Sequence, residues 1–332
     1  MNGQDIGRFF RSAQFSQEKI VFSIAVVMFV VFSATLQGFL TTGNVISLVQ
    51  SVSILGVLSI GMALTIFGRG IDLSIVSNMA ISVAWVLYLA NQHVSLPAAL
   101  LCGLGLNLAI GLLNGVLIAY VEIPAIFATL AMGTAVYGFG HSILVNSDVI
   151  FLPNADPWFK ALGGGSVLGI PSPVLWLIAL CAVVFLFLRF TRPGRFIFGM
   201  GDNPLAARIA GIPVRPMIVL QYLISSLIGF LAGIITATLV NSMNTRVANS
   251  TLVYDVILVV AIGGVGLSGG KGSVRNVIVG TLLIGTLFNG MTILDVPYTL
   301  QNIVKSVILL IAIVTDSLLN PRDEQTSQQG DI

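Results

Sequence analysis

Residues 201–214 read GDNPLAARIAGIPV, between two almost wholly apolar runs: VLWLIALCAVVFLFL at 174–188 and MIVLQYLISSLIGFLAGIITATLV at 217–240. The insert spells a short helix closed at both ends. Asn203 suits an N-cap, because its side-chain oxygen can accept from the free N–H groups of a first turn. Pro204 follows at the first helical position, where a missing N–H costs nothing. LAARIA favours helix. Gly211 suits a left-handed C-cap, and Pro213 stops the chain just beyond it. Such a helix has roughly two turns. Alone in water it is marginal, so it is expected to pack on something.

The flanks decide the fold class. The chain has 332 residues, of which 56% are hydrophobic and 8% charged, with a mean hydropathy of +1.00. Soluble domains carry about 25% charged residues. This chain has too little charged surface to dissolve, and it reads as an all-α polytopic membrane protein. Its net charge of +2 makes no case for nucleic acid. Cys102 and Cys181 both lie in apolar runs and read as small buried hydrophobes, with no disulfide or metal implied. Residues 1–19 are polar and carry Arg8, Arg11 and Lys19. No small-x-small site ends the apolar run that follows, so it reads as an uncleaved first span.

A membrane-crossing helix needs about 20 largely apolar residues. Ten candidates fit: 20–39, 45–67, 73–91, 96–120, 124–145, 173–190, 216–240, 252–265, 276–294 and 299–318. The third begins polar and the eighth is short, so neither need cross as a straight helix. With the N-terminus in the cytoplasm, 12 of the 15 basic residues fall inside, and only Lys160, Arg246 and Lys305 fall outside. The five arginines between 189 and 215 weigh most. This bias supports an even number of spans with both termini cytoplasmic. It divides the chain into a cytoplasmic segment 1–19, one membrane domain 20–318 and a cytoplasmic tail 319–332, and places helix 203–210 inside and loop 146–172 outside.

Two stretches echo each other. GRGIDLS (68–74) resembles GGVGLS (263–268), and NGVLIAYVEIPAIF (114–127) resembles NGMTILDVPYTL (289–300). Ser74 and Asn114 are 40 residues apart, room for two spans; Ser268 and Asn289 are 21 apart, room for one. The spans opened by Pro124 and Pro297 then run in opposite directions, as in an inverted repeat. The Gly-rich stretches 68–72 and 263–272 become interrupted helices. Irregular backbone at membrane depth is tolerated only inside protein or along a cavity.

Several enzyme motifs fail. Gly264, Gly266 and Gly269 match G-x-G-x-x-G but no strand precedes them. Val265 stands where a P-loop needs glycine. GLSG (266–269) has no base for its serine: His93 and His141 both precede it, near the outer ends of spans. Asp72, Asp255 and Asp295 lie in or beside apolar runs, where ionisable groups often carry function. Asp295 reads as interfacial. Asp72 is either functional or a cap for the next span; Asp255 is either functional or interfacial.

Taken together, GIDLS (70–74), IPAIFATL (123–130), PGRFIFGMGDNPLAARIAGI (193–212), Tyr254-Asp255, AIGGVGLSGGKGSV (261–274), NGMTIL (289–294) and IVKSVILLIAIVTD (303–316) resemble the membrane permeases of bacterial ABC importers for monosaccharides, the ribose-type permeases. The resemblance runs from about residue 44 to 318. Its most specific part is G-x-N-x-x-A-x-R-x-x-G-I, ending at Ile212. It implies that 203–211 is a coupling helix docking in a cytoplasmic ATPase, with Gly201, Asn203, Ala207, Arg208 and Gly211 as its key positions. It also implies a translocation pathway drawn from Asp72, Ser74, Asn114, Pro124, Thr129, Asp255, Gly263, Gly264, Ser268, Gly269 and Gly270. The implied partners are the ATPase, which binds the ATP and Mg, a second copy or a related permease, and an external sugar-binding protein. The implied location is the bacterial inner membrane, and this chain holds no cofactor and performs no chemistry. Arg69 and Val76 stand where the family usually has glycine, and Gly266 where Ser or Thr is common. An ion-coupled secondary transporter is the rival reading; it accounts for the repeat and the membrane acids but not for the coupling-helix pattern.

The arginine asymmetry makes a direct prediction. In a background with Cys102 and Cys181 replaced by Ser, cysteines at Gly164 and Asp202 react with an impermeant thiol reagent from opposite sides of the membrane. Reaction from the same side contradicts the span count.

Overall fold

The computed structural model describes residues 3–153 and 157–319. The tail from 320 on, including Arg322, lies outside the described residues. The elements run α1 (Gly3–Thr35), α2 (Thr42–Phe67), α3 (Ile75–Asn91), α4 (Leu96–Ala119), α5 (Ala125–Phe139, continued by a π-turn over Gly140–Val145), β1 (Val149–Phe151) and α6 (Pro157–Gly164). There follow β2 (Ser166–Val167), β3 (Ile170–Pro171), α7 (Ser172–Phe190), α8 (Arg192–Asp202), α9 (Pro204–Ile209), α10 (Val214–Val240), β4 (Ser242–Asn244), a 3₁₀ turn (Thr245–Asn249), α11 (Leu252–Ile262), α12 (Val274–Ile293) and α13 (Tyr298–Leu319). The protein is an all-α polytopic membrane protein.

Among the described residues, eight helices are long and apolar enough to cross a membrane, and two more are apolar but shorter, 75–91 and 252–262. These are the third and eighth expected spans. At 1.5 Å per residue, α11 extends only about 16 Å, roughly half a hydrocarbon core, and the Gly-rich break follows it directly. The cysteines are less buried than their apolar runs suggest: Cys102 is exposed on α4 and Cys181 half-buried on α7, because a membrane helix can turn apolar residues outward as well as in.

The two central helices are α2 and α10, which are mostly buried and pack on each other. Their apolar sequences show no strong polar face because protein surrounds them. Helix α10 also packs on α4 and α3, while α2 packs on α12 and α11; α3 contacts α5 as α11 contacts α13. Exchanging α2–α5 with α10–α13 preserves this scheme. Asn114 and Asn289 then occupy matching places near the ends of α4 and α12, and Pro124 and Pro297 precede α5 and α13.

The other sequence echo does not match in this way. The break at 68–74 joins α2 to α3, whereas the break at 263–273 joins α11 to α12, which are non-equivalent connections. The likeness of the two Gly-rich stretches is therefore local, and the two breaks instead meet each other in space.

The structure also adds a helix. Residues 192–202 form α8, a stretch without helical signal in the sequence. Gly194, Gly199 and Gly201 lower its propensity. Packing overrides this: Thr191 caps the helix by accepting from Gly194 N at 3.1 Å, and Gly194, Ile197, Met200 and Gly201 are buried. At the opposite end of the bundle, β1 pairs antiparallel with β4, Ile150 opposite Met243, tying the end of α5 to the end of α10.

Candidate functional site

Helix α9 forms as its residues dictate. Asn203 has extended backbone, and its Oδ1 accepts from Ala206 N at 2.9 Å. Gly211 takes φ +81, and its N–H donates to Arg208 O at 2.9 Å. The helix rests on the membrane body through Ala207, which is 4% exposed and belongs to the main apolar core. Leu205 and Ile209 are instead 65% and 82% exposed. Ala207 thus anchors α9 to its own chain, and Leu205 and Ile209 form its outward surface, which sequence reasoning passed over. The spacing could have found them: positions four apart share a helix face. Arg208 Nη2 is buried without a hydrogen-bond partner among the described residues.

Immediately before α9, the end of α8 meets both Gly-rich breaks. Gly270 N donates to Phe67 O, the last carbonyl of α2, at 2.9 Å. Gly201 lies directly over this bond: a Cβ there would collide with Phe67 O and lie 2.6 Å from Gly270 N. Only glycine permits that approach. Gly270 itself has φ +72, and a Cβ there would sit 2.8 Å from the backbone of Asp202. Arg69 takes φ +71, a left-handed conformation that glycine adopts more readily than arginine. Gly269 lies against Arg69 and Gly201, and the rings of Phe67 and Phe198 are 5.0 Å apart.

Further bonds hold the second break. Asn276 Nδ2 donates to Gly263 O at 2.7 Å, and Leu267 N donates to Asp316 Oδ2 on α13 at 3.1 Å. Gly264 and Ser268 are half-buried within it. Gly263 packs against the Asn276 carbonyl, and Gly280 against the Val259 carbonyl. Gly280 is thus part of the α11–α12 crossing.

The first break is pinned by a buried polar network. Asp72 is 2% exposed. Its Oδ1 accepts from Ser74 N at 3.1 Å and Ser74 Oγ at 2.7 Å, and its Oδ2 accepts from Ser225 Oγ at 2.9 Å. Asn114 Nδ2 donates to Ser74 Oγ at 2.7 Å. Thr129 Oγ1 accepts from Leu73 N at 3.1 Å, and Tyr222 OH reaches Ile71 O at 3.4 Å. Side chains from α4, α5 and α10 thus converge on residues 71–74. The structure brings Asp72, Ser74, Asn114 and Thr129 together, and Pro124 opens the helix that carries Thr129. Sequence reasoning missed Ser225 and Tyr222. Their signal was polar residues spaced along one face of an apolar run, Gln221 and Ser225 four apart.

Asp255 lies elsewhere, in the first turn of α11. Lys305 Nζ donates to Asp255 Oδ2 at 2.9 Å, with the two side chains 11% and 9% exposed, Lys305 first. Lys305 also lies 4.0 Å from the centroid of the Phe288 ring. Lys305 lies on α13, within the expected span 299–318, and its side chain turns toward Asp255, because a buried carboxylate needs a counter-charge.

Eight long apolar helices, two short ones adjoining Gly-rich breaks, and a capped helix joined through the end of α8 to those breaks make up a polytopic membrane protein. The family model described as branched-chain amino acid transport system / permease component matches residues 44–313, and the chain belongs to that family. It is 33% identical over 320 residues to the ribose import permease protein of Escherichia coli (strain K12), covering 93% of this chain and 96% of the relative. It is 34% identical over 275 residues to the galactofuranose transporter permease protein of the same strain, covering 83% and 80%. It is also 34% identical over 296 residues to the L-arabinose ABC transporter permease protein of Azospirillum brasilense, covering 88% and 85%. No solved structure matches the chain significantly.

Gly270→Val combines left-handed strain of roughly 1–2 kcal/mol with a clash on Asp202. It is expected to lower solute uptake at least about tenfold at equal membrane abundance. Gly105→Val, on an α4 position with open space around it, should stay within about twofold. Equal uptake by the two variants would make the junction an ordinary connection.

Proposed function

We propose that the chain is the translocation subunit of an ATP-binding cassette importer for a monosaccharide. In this reading two permease copies, or this chain and a related permease, span the bacterial inner membrane with their termini in the cytoplasm. A separate cytoplasmic ATPase binds ATP and Mg, and an external sugar-binding protein delivers the solute. ATP hydrolysis belongs to the partner. The sugar class is supported by relatives named for ribose, galactofuranose and L-arabinose import.

The observation that carries the reading is the placement of α9. It exposes Leu205 and Ile209, and the residue before its cap, Asp202, abuts Gly270. An apolar pair on a short helix is a small docking knob for a cleft in a partner. Force applied there passes through Gly201 to the end of α2 and to the α11–α12 break without crossing a flexible linker. Closure of the ATPase would then move the cytoplasmic ends of those helices together, opening one side of the membrane as the other shuts. An ion-coupled transporter has no use for an outward-facing apolar pair at this point.

The test uses the assembled transporter in proteoliposomes. Leu205→Asp with Ile209→Asp places two charges in an apolar contact and should abolish ATPase pull-down and reduce binding-protein-stimulated ATP hydrolysis at least about tenfold. Ala207→Trp should lift α9 from its bed and uncouple hydrolysis from uptake. Sugar binding by the external protein should be unchanged in every case. Pull-down and uptake at wild-type levels in the double Asp variant would overturn the docking role.

A further inference from the structure

The elbow between α7 and α8 carries charge that the rest of the chain leaves unanswered. Arg189 lies in the last turn of α7, Arg192 opens α8, and Arg195 follows one turn later. All three are exposed. From residue 157 to residue 201 the sequence has no Asp or Glu. Among the described residues, none of the three arginines forms an ion pair. Exposed arginines are paired elsewhere in the molecule: Arg215 Nη2 donates to Glu122 Oε1 at 2.7 Å, and Arg246 pairs with Asp148.

The elbow itself is tightly built. Thr191 turns the chain with extended backbone. Its Oγ1 donates to Phe187 O at 2.7 Å and accepts from Gly194 N at 3.1 Å. A Cβ at Gly194 would collide with Phe187 O, so the start of α8 lies directly against the end of α7. Orientation in the membrane requires only that basic charge lie in the cytoplasmic loop. It requires neither this cap nor this close contact.

The surroundings are those of a membrane surface. Helix α7 exposes Val183, Phe185, Leu186 and Phe190, and no charged residue interrupts 161–188, so this is a face for lipid. Arg189 closes that face, its guanidinium 5.6 Å from the Phe185 ring centroid and 5.5 Å from that of Phe190. A basic group beside aromatic rings at the end of an apolar span sits at the headgroup level. Helix α8 continues the pattern: it buries Gly194, Ile197 and Met200 and turns Arg192 and Arg195 outward. Such a basic, amphipathic helix suits the plane of the interface.

We propose that the α7–α8 elbow binds the headgroup of an anionic phospholipid, in the leaflet that the basic-residue asymmetry places inside. A phosphate supplies the counter-charge that the elbow lacks, and guanidinium forks match its oxygens. The acyl chains of the same lipid lie along the exposed face of α7, a contact that a water-soluble anion cannot make. A protein reaching Arg189 would have to displace lipid from Phe185 and Phe190, whereas α9 offers the ATPase an apolar pair clear of these rings. Helix α8 ends at Gly201, over the Gly270–Phe67 bond, so a lipid held at its first turn fixes the membrane-surface end of the helix that leads into the junction.

The test follows lipid binding by the full-length chain. Purified permease is stripped of lipid in detergent, and native mass spectrometry records rebinding of dioleoylphosphatidylglycerol. Dioleoylphosphatidylcholine serves as the uncharged-headgroup control and glycerol 3-phosphate as a free anion. Wild-type protein should prefer phosphatidylglycerol, and rising ionic strength should erode that preference. Surface attraction to anionic lipid amounts to about fivefold per basic residue. Arg192→Gln with Arg195→Gln should therefore weaken phosphatidylglycerol binding at least about tenfold and leave phosphatidylcholine unchanged. Arg192→Lys with Arg195→Lys, which keeps the charge, should retain most of the preference. Equal binding of the two lipids by wild type overturns the proposal, as does a double Gln variant that binds phosphatidylglycerol as tightly as wild type. Displacement of the lipid by an equal concentration of glycerol 3-phosphate overturns it too, because the elbow then takes any phosphate. If the double Gln variant instead loses ATPase pull-down while its lipid binding is intact, the arginines serve the ATPase and the lipid site is excluded.

Discussion

The contact on which the rest depends is a single backbone hydrogen bond, from Gly270 N to Phe67 O, with Gly201 lying across it. Three segments far apart in sequence share this point: the end of α2, the α11–α12 break and the end of α8. Each must present bare backbone to the others, because nothing larger than hydrogen fits at residue 201. Backbone packed this closely has little room to yield. A displacement of α8 must therefore carry the ends of α2 and α12 with it, or break the bond and leave an apolar-surrounded carbonyl unpaired.

The polar network around Asp72 gives that junction something fixed to work against. A break in a membrane helix frees N–H and C=O groups that lipid cannot satisfy. Here Thr129 and Tyr222 answer the backbone of residues 71 and 73, and Ser74 and Ser225 answer the Asp72 carboxylate. The network is not complete: Asn114 Oδ1 is buried without a hydrogen-bond partner among the described residues. It joins α4, α5 and α10 to the break, so one end of the 68–74 segment is held by elements of both halves of the molecule, while its other end meets α8 and the second break.

Much of this was legible in the sequence, for physical reasons that can be named. The two-turn helix was readable because capping is local: Asn203, Pro204, Gly211 and Pro213 each act within a few residues. The spans were readable because lipid imposes length and apolarity, and the two short ones were flagged by their polar start and small size. What was not readable depends on contacts between distant segments. Helix α8 is glycine-rich and forms because α7 and α2 receive it. The face of α9 that turns inward, through Ala207, is set by the body beneath it. The pairing of Lys305 with Asp255, 50 positions earlier, is likewise a contact between distant segments that local pattern does not reveal. The likeness of the two Gly-rich stretches suggested a repeat; the packing shows them as non-equivalent connections that meet.

The central claim is that α9 and the breaks move as one body. Pulsed electron paramagnetic resonance on the reconstituted transporter tests it most directly, with spin labels at Ile209 and at Arg275, both exposed, in a background lacking Cys102 and Cys181. The Ile209–Arg275 distance within one permease is predicted to stay the same between the nucleotide-free and ATP-bound states, while the distance between Ile209 labels on the two permease copies shortens. A change within one permease as large as the change between copies would contradict the account, because α9 would then swing on its own and leave the breaks behind.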